Sequence, residues 1–166
     1  MRIEKIQTSN LHHVASLAHA IWPVVYAEII SAEQLNYMLE QIYSIESLTN
    51  QLEVLNHQFI LASDEQKRPQ AFASFSFNNQ KEYKFIKLHK LYVLPELHKS
   101  GIGRSLLAYI EKEMKKEDYG SIRLNVNRNN IAIGFYQKLG FVIIKEEDID
   151  IGNGFFMIDY VMEKQI

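Results

Sequence analysis

The segment that most constrains the fold is an apolar run that ends at a proline and is followed by two closely spaced glycines and a helix. The run ends at Leu94, Pro95 follows it, and Gly101 and Gly103 precede apolar residues at helical spacing. A glycine-rich loop at the start of a helix presents unpaired backbone N–H groups and the positive end of the helix dipole. Glycine also lets the backbone approach a ligand closely, because it has no Cβ. The segment therefore predicts a strand–loop–helix unit that binds a phosphate or pyrophosphate.

Length and charge narrow the class of protein. The chain has 166 residues, and we expect a single domain over residues 1–166. Its net charge of −2, with histidine neutral, provides no broad basic surface and argues against nucleic acid as a partner. The absence of cysteine excludes disulfides, thiolate metal sites and a cysteine nucleophile.

Targeting and metal signals are also missing from the sequence. Residues 1–5 lack the apolar core of a signal peptide. No run approaches the ~18 apolar residues of a membrane helix. Neither a His-Glu-x-x-His motif nor paired carboxylates indicate a metal site. We therefore expect a cytoplasmic protein that uses neither a membrane nor a metal.

The order of apolar patterns predicts an α/β fold with a mixed sheet, because early helices are followed by strands with two late helices between them. Helices are expected from Leu11, after Ser31, which forms a capping box with Gln34, after Ser44, from Gly103 and over residues 132–139. Strands are expected over residues 2–6, 58–62, 70–77, 83–94, 122–126, 141–144 and 155–162. Pro23 should end or bend the first helix, and residues 78–81 are expected to form a hairpin turn.

The glycine loop does not fit two common phosphate-binding motifs. It lacks the Gly-Lys-Ser/Thr of a Walker A loop, and Leu106 stands where a dinucleotide fingerprint has its third glycine. The two glycines alone are weak evidence, so the surrounding residues must decide which ligand the loop binds.

Two longer motifs supply that context. Leu91–Pro95 followed by His98-x-x-Gly101-x-Gly103 resembles the acyl-CoA-binding motif of the GCN5-related N-acetyltransferase (GNAT) superfamily. The segment from Asn129 to Phe141 is similar to the family's second motif, and the two together span residues 88–141. His98 departs from the pattern, since the family prefers Gln or Arg there. Residues 154–162 resemble a bacterial PaiA-type branch of polyamine acetyltransferases.

The resemblance implies a mostly antiparallel mixed sheet flanked by helices, whose two parallel central strands splay apart around acetyl-CoA, the co-substrate. The main chain of Leu91, Tyr92 and Val93 would pair with the pantetheine, and the N–H of Val93 would face the thioester oxygen. Asn129 would bind the cofactor or an ordered water at the start of a helix. The pyrophosphate would be held by His98, Lys99, Ser100, Gly101, Ile102, Gly103 and Arg104.

The resemblance also assigns catalytic roles. Tyr136 matches the family's general acid, which protonates the departing thiolate; without the motif, its place in an apolar helical stripe would make it a core residue. Family members often carry a basic carboxylate on the strand before the loop, but residues 87–90 contain no acid. His89 is the best ionisable candidate for the base, because imidazole titrates near neutral pH. A solvent-facing His89, or a water chain as the base, are the alternatives.

An acceptor pocket is expected from the first helices and the late strands. Trp22, Tyr26 and Glu28 would suit a cationic amine, since aromatic faces and carboxylates attract cations; the alternative for Trp22 is a core position. The resemblance implies transfer of an acetyl group to a primary amine, small or polyamine-like, in a ternary complex. The lack of cysteine and of a Ser/His/Asp arrangement predicts that the transfer is direct, without an acyl-enzyme. The family often forms homodimers, but the sequence leaves the oligomeric state open. A non-catalytic acyl-CoA-binding or sensor module is the alternative function, and a nucleotide-binding or structural α/β protein would leave both motifs unexplained.

Overall fold

The computed structural model describes residues 1–80 and 83–166, which form five α-helices and seven β-strands. The helices are α1 (Leu11–Val25), α2 (Ala32–Tyr43), α3 (Ile45–Glu53), α4 (Ile102–Lys116) and α5 (Ala132–Lys138). The strands are β1 (Arg2–Lys5), β2 (Gln58–Ser63), β3 (Pro69–Gln80), β4 (Tyr83–Val93), β5 (Ser121–Asn127), β6 (Val142–Gly152) and β7 (Phe155–Gln165). None of the described helices is both long enough and apolar enough to span a membrane.

All seven strands belong to one sheet in the order β1-β2-β3-β4-β5-β7-β6. Every neighbouring pair is antiparallel except β4 and β5, which run parallel at the centre. The helix α4 connects these two parallel strands, as a crossover must. The predicted mixed, mostly antiparallel sheet with a parallel central pair is confirmed.

Helices cover both faces of the sheet. On one side, which we call the α1–α3 face, Phe59 and Leu61 pack with the three N-terminal helices. On the other, the α4–α5 face, Ile60 and Ala62 pack with the two late helices. Because successive side chains of a strand point to opposite faces, β2 contributes to both cores and is buried along nearly its whole length.

Two breaks predicted from the sequence, a helix end at Pro23 and a turn from residue 78, are not found at those residues. Helix α1 continues past Pro23 to Val25, because Ile21 and Trp22 are buried and hold this turn against the sheet. Strand β3 runs through Gln80, so the residues before it form no turn. Lys81, the last residue of the predicted turn, lies outside the described residues.

Strand β6 is longer than predicted. It extends from Val142 to Gly152 instead of ending at Ile144, although residues 145–150 carry five charged side chains. Since β6 is the edge of the sheet and pairs only with β7, most of these charged side chains are exposed, and Glu147 is partly buried. Charged side chains are a common feature of edge strands, where they discourage pairing with other chains.

Candidate active site

The pairing at the centre of the sheet ends where β4 and β5 diverge, and we call the gap between these two strands the cleft. The two strands pair in register only from Phe85 opposite Ser121 to Leu88 opposite Leu124. A bulge in β4 coincides with the divergence: on β3, consecutive residues oppose Leu88 and Lys90, which leaves His89 as the extra residue. A bulge bends its strand and increases the local twist. Beyond it, β4 follows β3 while β5 follows β7, so the parallel strands splay apart as predicted.

The end of β4 offers backbone groups to this cleft. The Leu94 N–H donates to the carbonyl of Gln70 on β3 at 3.0 Å. Main-chain groups of successive residues point to opposite edges of a strand. The N–H and C=O of Val93 and of Leu91 therefore point toward the cleft, whereas those of Tyr92 pair with β3. Tyr92 can reach a ligand only through its side chain, which differs from the main-chain contact expected for it.

The loop between β4 and α4, which we call the amide loop, presents a row of backbone N–H groups at the start of the helix. Among the described residues, no acceptor is found for the backbone N–H groups of Gly101, Ile102, Gly103 and Arg104. Gly101 has a left-handed backbone with φ of +91°, which turns the chain into the helix. An anion at this helix start would meet these amides together with the positive end of the helix dipole.

The side chains of the loop have unequal roles. Those of His98, Lys99, Ser100 and Arg104 are exposed or partly exposed, and Ile102 is buried in the core. The His98 Nε2–H donates to the Val93 carbonyl at 3.1 Å. His98 thus holds the loop against the end of β4, while Ile102 can offer only its backbone N–H.

Gly103 is a packing residue. A Cβ added to it would lie 3.3 Å from Phe135, 3.5 Å from Leu91 and 3.7 Å from Val93. The absence of a side chain therefore lets α4 approach β4 and α5 closely. The sequence interpretation placed this glycine against the pyrophosphate, but only its N–H points to such a role.

Polar side chains form the start of α5. The Asn127 Oδ1 accepts the N–H of Asn129 at 3.0 Å, and the Asn130 Oδ1 accepts the N–H of Ala132 at 2.8 Å. Asn130 is buried and shapes the turn, whereas Asn129 is exposed and free to contact a ligand.

Tyr136 projects from α5 into the core of the α4–α5 face. It is buried, with its ring centroid 5.2 Å from that of Phe135 and 5.5 Å from that of Phe141. Burial raises the pKa of its hydroxyl well above the ordinary value, and the nearby Tyr26 adds to the shift. The hydroxyl is therefore protonated throughout the neutral range and sits close to a tyrosine from the other helical layer.

The expected acceptor residues are not all brought together. The hydroxyl of Tyr26, at the end of α1, hydrogen-bonds with that of Tyr92 at 3.0 Å. Trp22 is 3% exposed, and its ring lies 4.6 Å from that of Tyr26 and 5.3 Å from that of Tyr43. Its aromatic faces are thus engaged in the core, whereas Glu28 is exposed on the loop after α1.

A cluster of polar residues on the α1–α3 face of strands β4 to β7 was not predicted from the sequence. It comprises Lys87, Asn125, Glu147 and Asp159. The Lys87 ammonium donates to the side-chain oxygen of Asn125. The side-chain NH2 of Asn125 donates to the Glu147 carboxylate at 3.0 Å. Asp159 is buried beside them, and burial raises the pKa of its carboxyl. The one available signal was a carboxylate alternating with apolar Met157 and Val161 along a strand.

A family model for the acetyltransferase (GNAT) domain matches residues 26–164, which is most of the chain. The chain belongs to the GNAT acetyltransferase family. As a GNAT acetyltransferase it is an enzyme that transfers an acetyl group to an amine, and the matched residues include β4, the amide loop and α5. The resemblance seen in the sequence is confirmed, whereas the roles of individual site residues stay predictions.

Relatives of this GNAT acetyltransferase align with it over nearly its whole length. A spermidine N(1)-acetyltransferase of Thermoplasma acidophilum is 34% identical, over 99% of this chain and 97% of the relative. The crystal structure of a PaiA N-acetyltransferase from the same organism, in complex with coenzyme A, superposes with a TM-score of 0.80 at 29% identity over 100% of both chains. A GCN5-related N-acetyltransferase from Rhodopseudomonas palustris shares the fold, with a TM-score of 0.81 at 19% identity over 99% of this chain and 95% of that one.

The predicted base of this GNAT acetyltransferase lies in an unusual setting. The His89 Nε2 hydrogen-bonds with the Ser76 hydroxyl at 2.8 Å, and the His89 ring stacks on that of His57 with centroids 3.8 Å apart. Burial, followed by the neighbouring His57 and two lysines, lowers the pKa of His89 to about 3. Burial and Lys90 lower the pKa of His57 to about 4. Both imidazoles are therefore neutral at physiological pH.

This histidine pair should make the fold sensitive to acid. In the unfolded chain both histidines bind protons as the pH falls through 6.5, whereas in the folded protein they do so only near pH 4 and 3. Their contribution to stability is complete above pH 6.5 and is lost as the pH falls through that window. We expect the melting temperature of His89→Gln to fall less steeply between pH 6.5 and 4 than that of the parent protein, as measured by calorimetry. Parallel curves would contradict this assignment.

Proposed function

We propose that this acetyltransferase takes the acetyl group from acetyl-CoA and transfers it directly to a primary amine of a small, polyamine-like cation. The observation that carries the proposal is the cleft between β4 and β5, which has the amide loop at its mouth and a tyrosine of each helical layer within it. The Thermoplasma relatives, one named for spermidine and one bound to coenzyme A, support the two ligands.

The donor would lie along β4. Its pyrophosphate accepts from the amides of Gly101 to Arg104, and Lys99 and Arg104 add positive charge beside it. The pantetheine follows the cleft-facing main chain of Leu91 and Val93. This places the Val93 N–H at the thioester oxygen, where an oriented donor stabilises the negative charge that develops during attack.

The acceptor would enter from the α1–α3 face. Tyr26 and Tyr92 would line that side of the cleft, with the carboxylate of Asp159 on β7 close to Tyr26. Aromatic rings and carboxylates favour a cationic ligand over a neutral one. Contacts from Trp22 and Glu28 stay predictions, and the burial of Trp22 favours support of the Tyr26 ring over direct contact with the amine.

Two proton transfers accompany the reaction. Tyr136 would protonate the departing thiolate; with ordinary pKa values near ~10 and ~8.5 this step is ~2 kcal/mol uphill, and burial of the phenol adds to that difference. The incoming amine must first lose a proton, which requires ~4.6 kcal/mol at pH 7 for a pKa near ~10.4. The enzyme therefore needs a proton acceptor on the acceptor side of the cleft.

His89 is a weak candidate for that acceptor, because a pKa of about 3 means that its imidazole binds a proton poorly at neutral pH. Its Nε2 is also engaged by Ser76. The base role of His89 and the alternative of a water chain stay predictions.

A panel of amines assayed for CoA release tests the proposed function. We expect spermidine and similar polycations to have kcat/KM about tenfold or more above that of peptides with neutral side chains, since a single cation–π or charge contact supplies about 1–2 kcal/mol. Mass spectrometry after incubation with acetyl-CoA alone should show no acetylated protein, because the chain contains no cysteine nucleophile and transfer is direct. Turnover of neutral peptides without turnover of polyamines would contradict the proposal.

A further inference from the structure

Asp159 is a buried carboxylate whose presence the fold does not explain. It lies on β7 opposite Asn127 of β5 and Glu147 of β6 and is 5% exposed. Among the described residues, no donor reaches its Oδ1 atom, which is itself buried. An ionised carboxylate that lacks such partners destabilises a protein, so buried carboxylates are usually paired or functional.

Alternation along β7 places this carboxylate on the acceptor side of the cleft. Tyr160 and Met162 pack into the core of the α4–α5 face, so Asp159 points to the α1–α3 face. In addition to burial, the charge of Asp159 raises the pKa of the Tyr26 hydroxyl. Tyr26 in turn adds to the rise that burial causes in the pKa of the Tyr136 hydroxyl. The carboxylate and the predicted acid therefore share Tyr26 as a neighbour.

The cations near Asp159 are engaged elsewhere. Lys87 on β4 donates to Asn125, which in turn donates to Glu147 on β6. Arg128, after β5, forms ion pairs with two other carboxylates, those of Glu146 and Asp148. Within the described part of the chain, Asp159 itself forms no ion pair. Burial raises the pKa of its carboxyl, and the amide of Asn125 and the charges of Lys87 and Arg128 offset part of that rise.

We propose that Asp159 is the proton acceptor for the ammonium group of the acceptor; this inference rests on the proposed function. The carboxylate takes one proton from R–NH3⁺ and later releases it to water. The neutral nitrogen then attacks the acetyl carbon, and the C–S bond breaks. Tyr136 gives its proton to the thiolate and regains one from the new amide nitrogen. The products are the acetylamide, CoA–SH and one proton. Burial, which favours the protonated carboxyl, brings its proton affinity closer to that of the amine.

The isosteric substitution Asp159→Asn tests this role. With the best acceptor of the amine panel, we expect kcat/KM at pH 7 to fall by about 10²-fold or more, the usual effect of one general base. The variant should regain activity by about tenfold per pH unit toward the amine pKa of ~10.4, because the amine then deprotonates in solution. The parent enzyme should instead lose activity as the pH falls through the raised pKa of Asp159. The Kd for acetyl-CoA should stay unchanged.

Glu163 provides a matched control, because it lies on the same strand, is similarly buried and forms an ion pair with Arg123. Glu163→Gln should lower the melting temperature and leave the pH profile unchanged. Asp159→Ala adds a second test: formate, a small carboxylate that fits the space, should restore part of its activity.

Several outcomes would overturn the proposal. These are a normal kcat or an unshifted pH profile in Asp159→Asn, an effect on KM alone, unfolding of both Asp159 variants at the assay temperature, or the pH shift appearing in His89→Gln instead. If the parent enzyme acetylates no amine at all, the proposed function fails with it. If the parent is active and Asp159→Asn behaves like it, only this inference fails.

Discussion

Replacing Tyr136 by Phe should lower kcat by ~10²–10⁴-fold, the usual effect of one general acid. The change removes the hydroxyl that would protonate the thiolate and keeps the ring that packs between Phe135 and Phe141. We therefore expect the Kd for acetyl-CoA, measured by calorimetry, and the melting temperature to stay close to those of the parent enzyme.

Tyr119→Phe is a suitable control, since Tyr119 also packs on the core of the α4–α5 face but at Phe77. This variant should be fully active. A Tyr136→Phe protein with normal turnover, or one whose loss of activity tracks a loss of stability, would show that Tyr136 is only a core residue.

The substitution Gly101→Glu should weaken CoA binding by about 10²-fold or more, because it brings a negative charge to the amides that would hold the pyrophosphate and disturbs charge-assisted hydrogen bonds of about 1.5–3 kcal/mol each. A Cβ at Gly101 meets no atom within 4 Å, so the protein should still fold. The left-handed φ of +91° adds a strain of roughly 1–2 kcal/mol.

Gly154→Glu separates charge from strain. Gly154 has a φ of +76° and equally open space, but it lies in the turn between β6 and β7. Its variant should share the loss of stability and bind CoA normally. Gly103→Glu is a poor test, since its side chain would collide with Phe135 and disrupt packing. Unchanged affinity in Gly101→Glu would disprove the loop assignment.

The fold was largely predictable, because helical and strand periodicities and two family motifs agreed. The bulge that opens the cleft left a sequence signal as well: the positions facing the α4–α5 core in β4 are Ile86, Leu88, Leu91 and Val93, with a step of three in place of two at the bulge. The full length of β6 was not predictable, since its charged residues resemble a loop and only pairing with β7 makes them a strand.

The local geometry of the candidate site was predictable where a motif fixes the backbone, as in the loop around Gly101 and in the helix that carries Tyr136. It was not predictable where the chemistry depends on tertiary contacts. Three features depend on contacts between strands or helices that are distant in the sequence: the burial of Asp159, the core packing of Gly103 and the stacking of His57 on His89. Propensity and spacing carry no information about such partners.

The divergence of β4 from β5 would link the stability of the protein to the concentration of a ligand bound between these strands. Leu91 and Val93 direct main-chain groups toward the cleft, and a pantetheine chain lying there would complete the hydrogen bonding of the sheet much as an added strand does. By mass action, a ligand that binds only the folded state adds ~2.7 kcal/mol to stability at a hundred times its Kd. The fraction of this enzyme that survives proteolysis in a cell would therefore rise and fall with the supply of the acetyl donor.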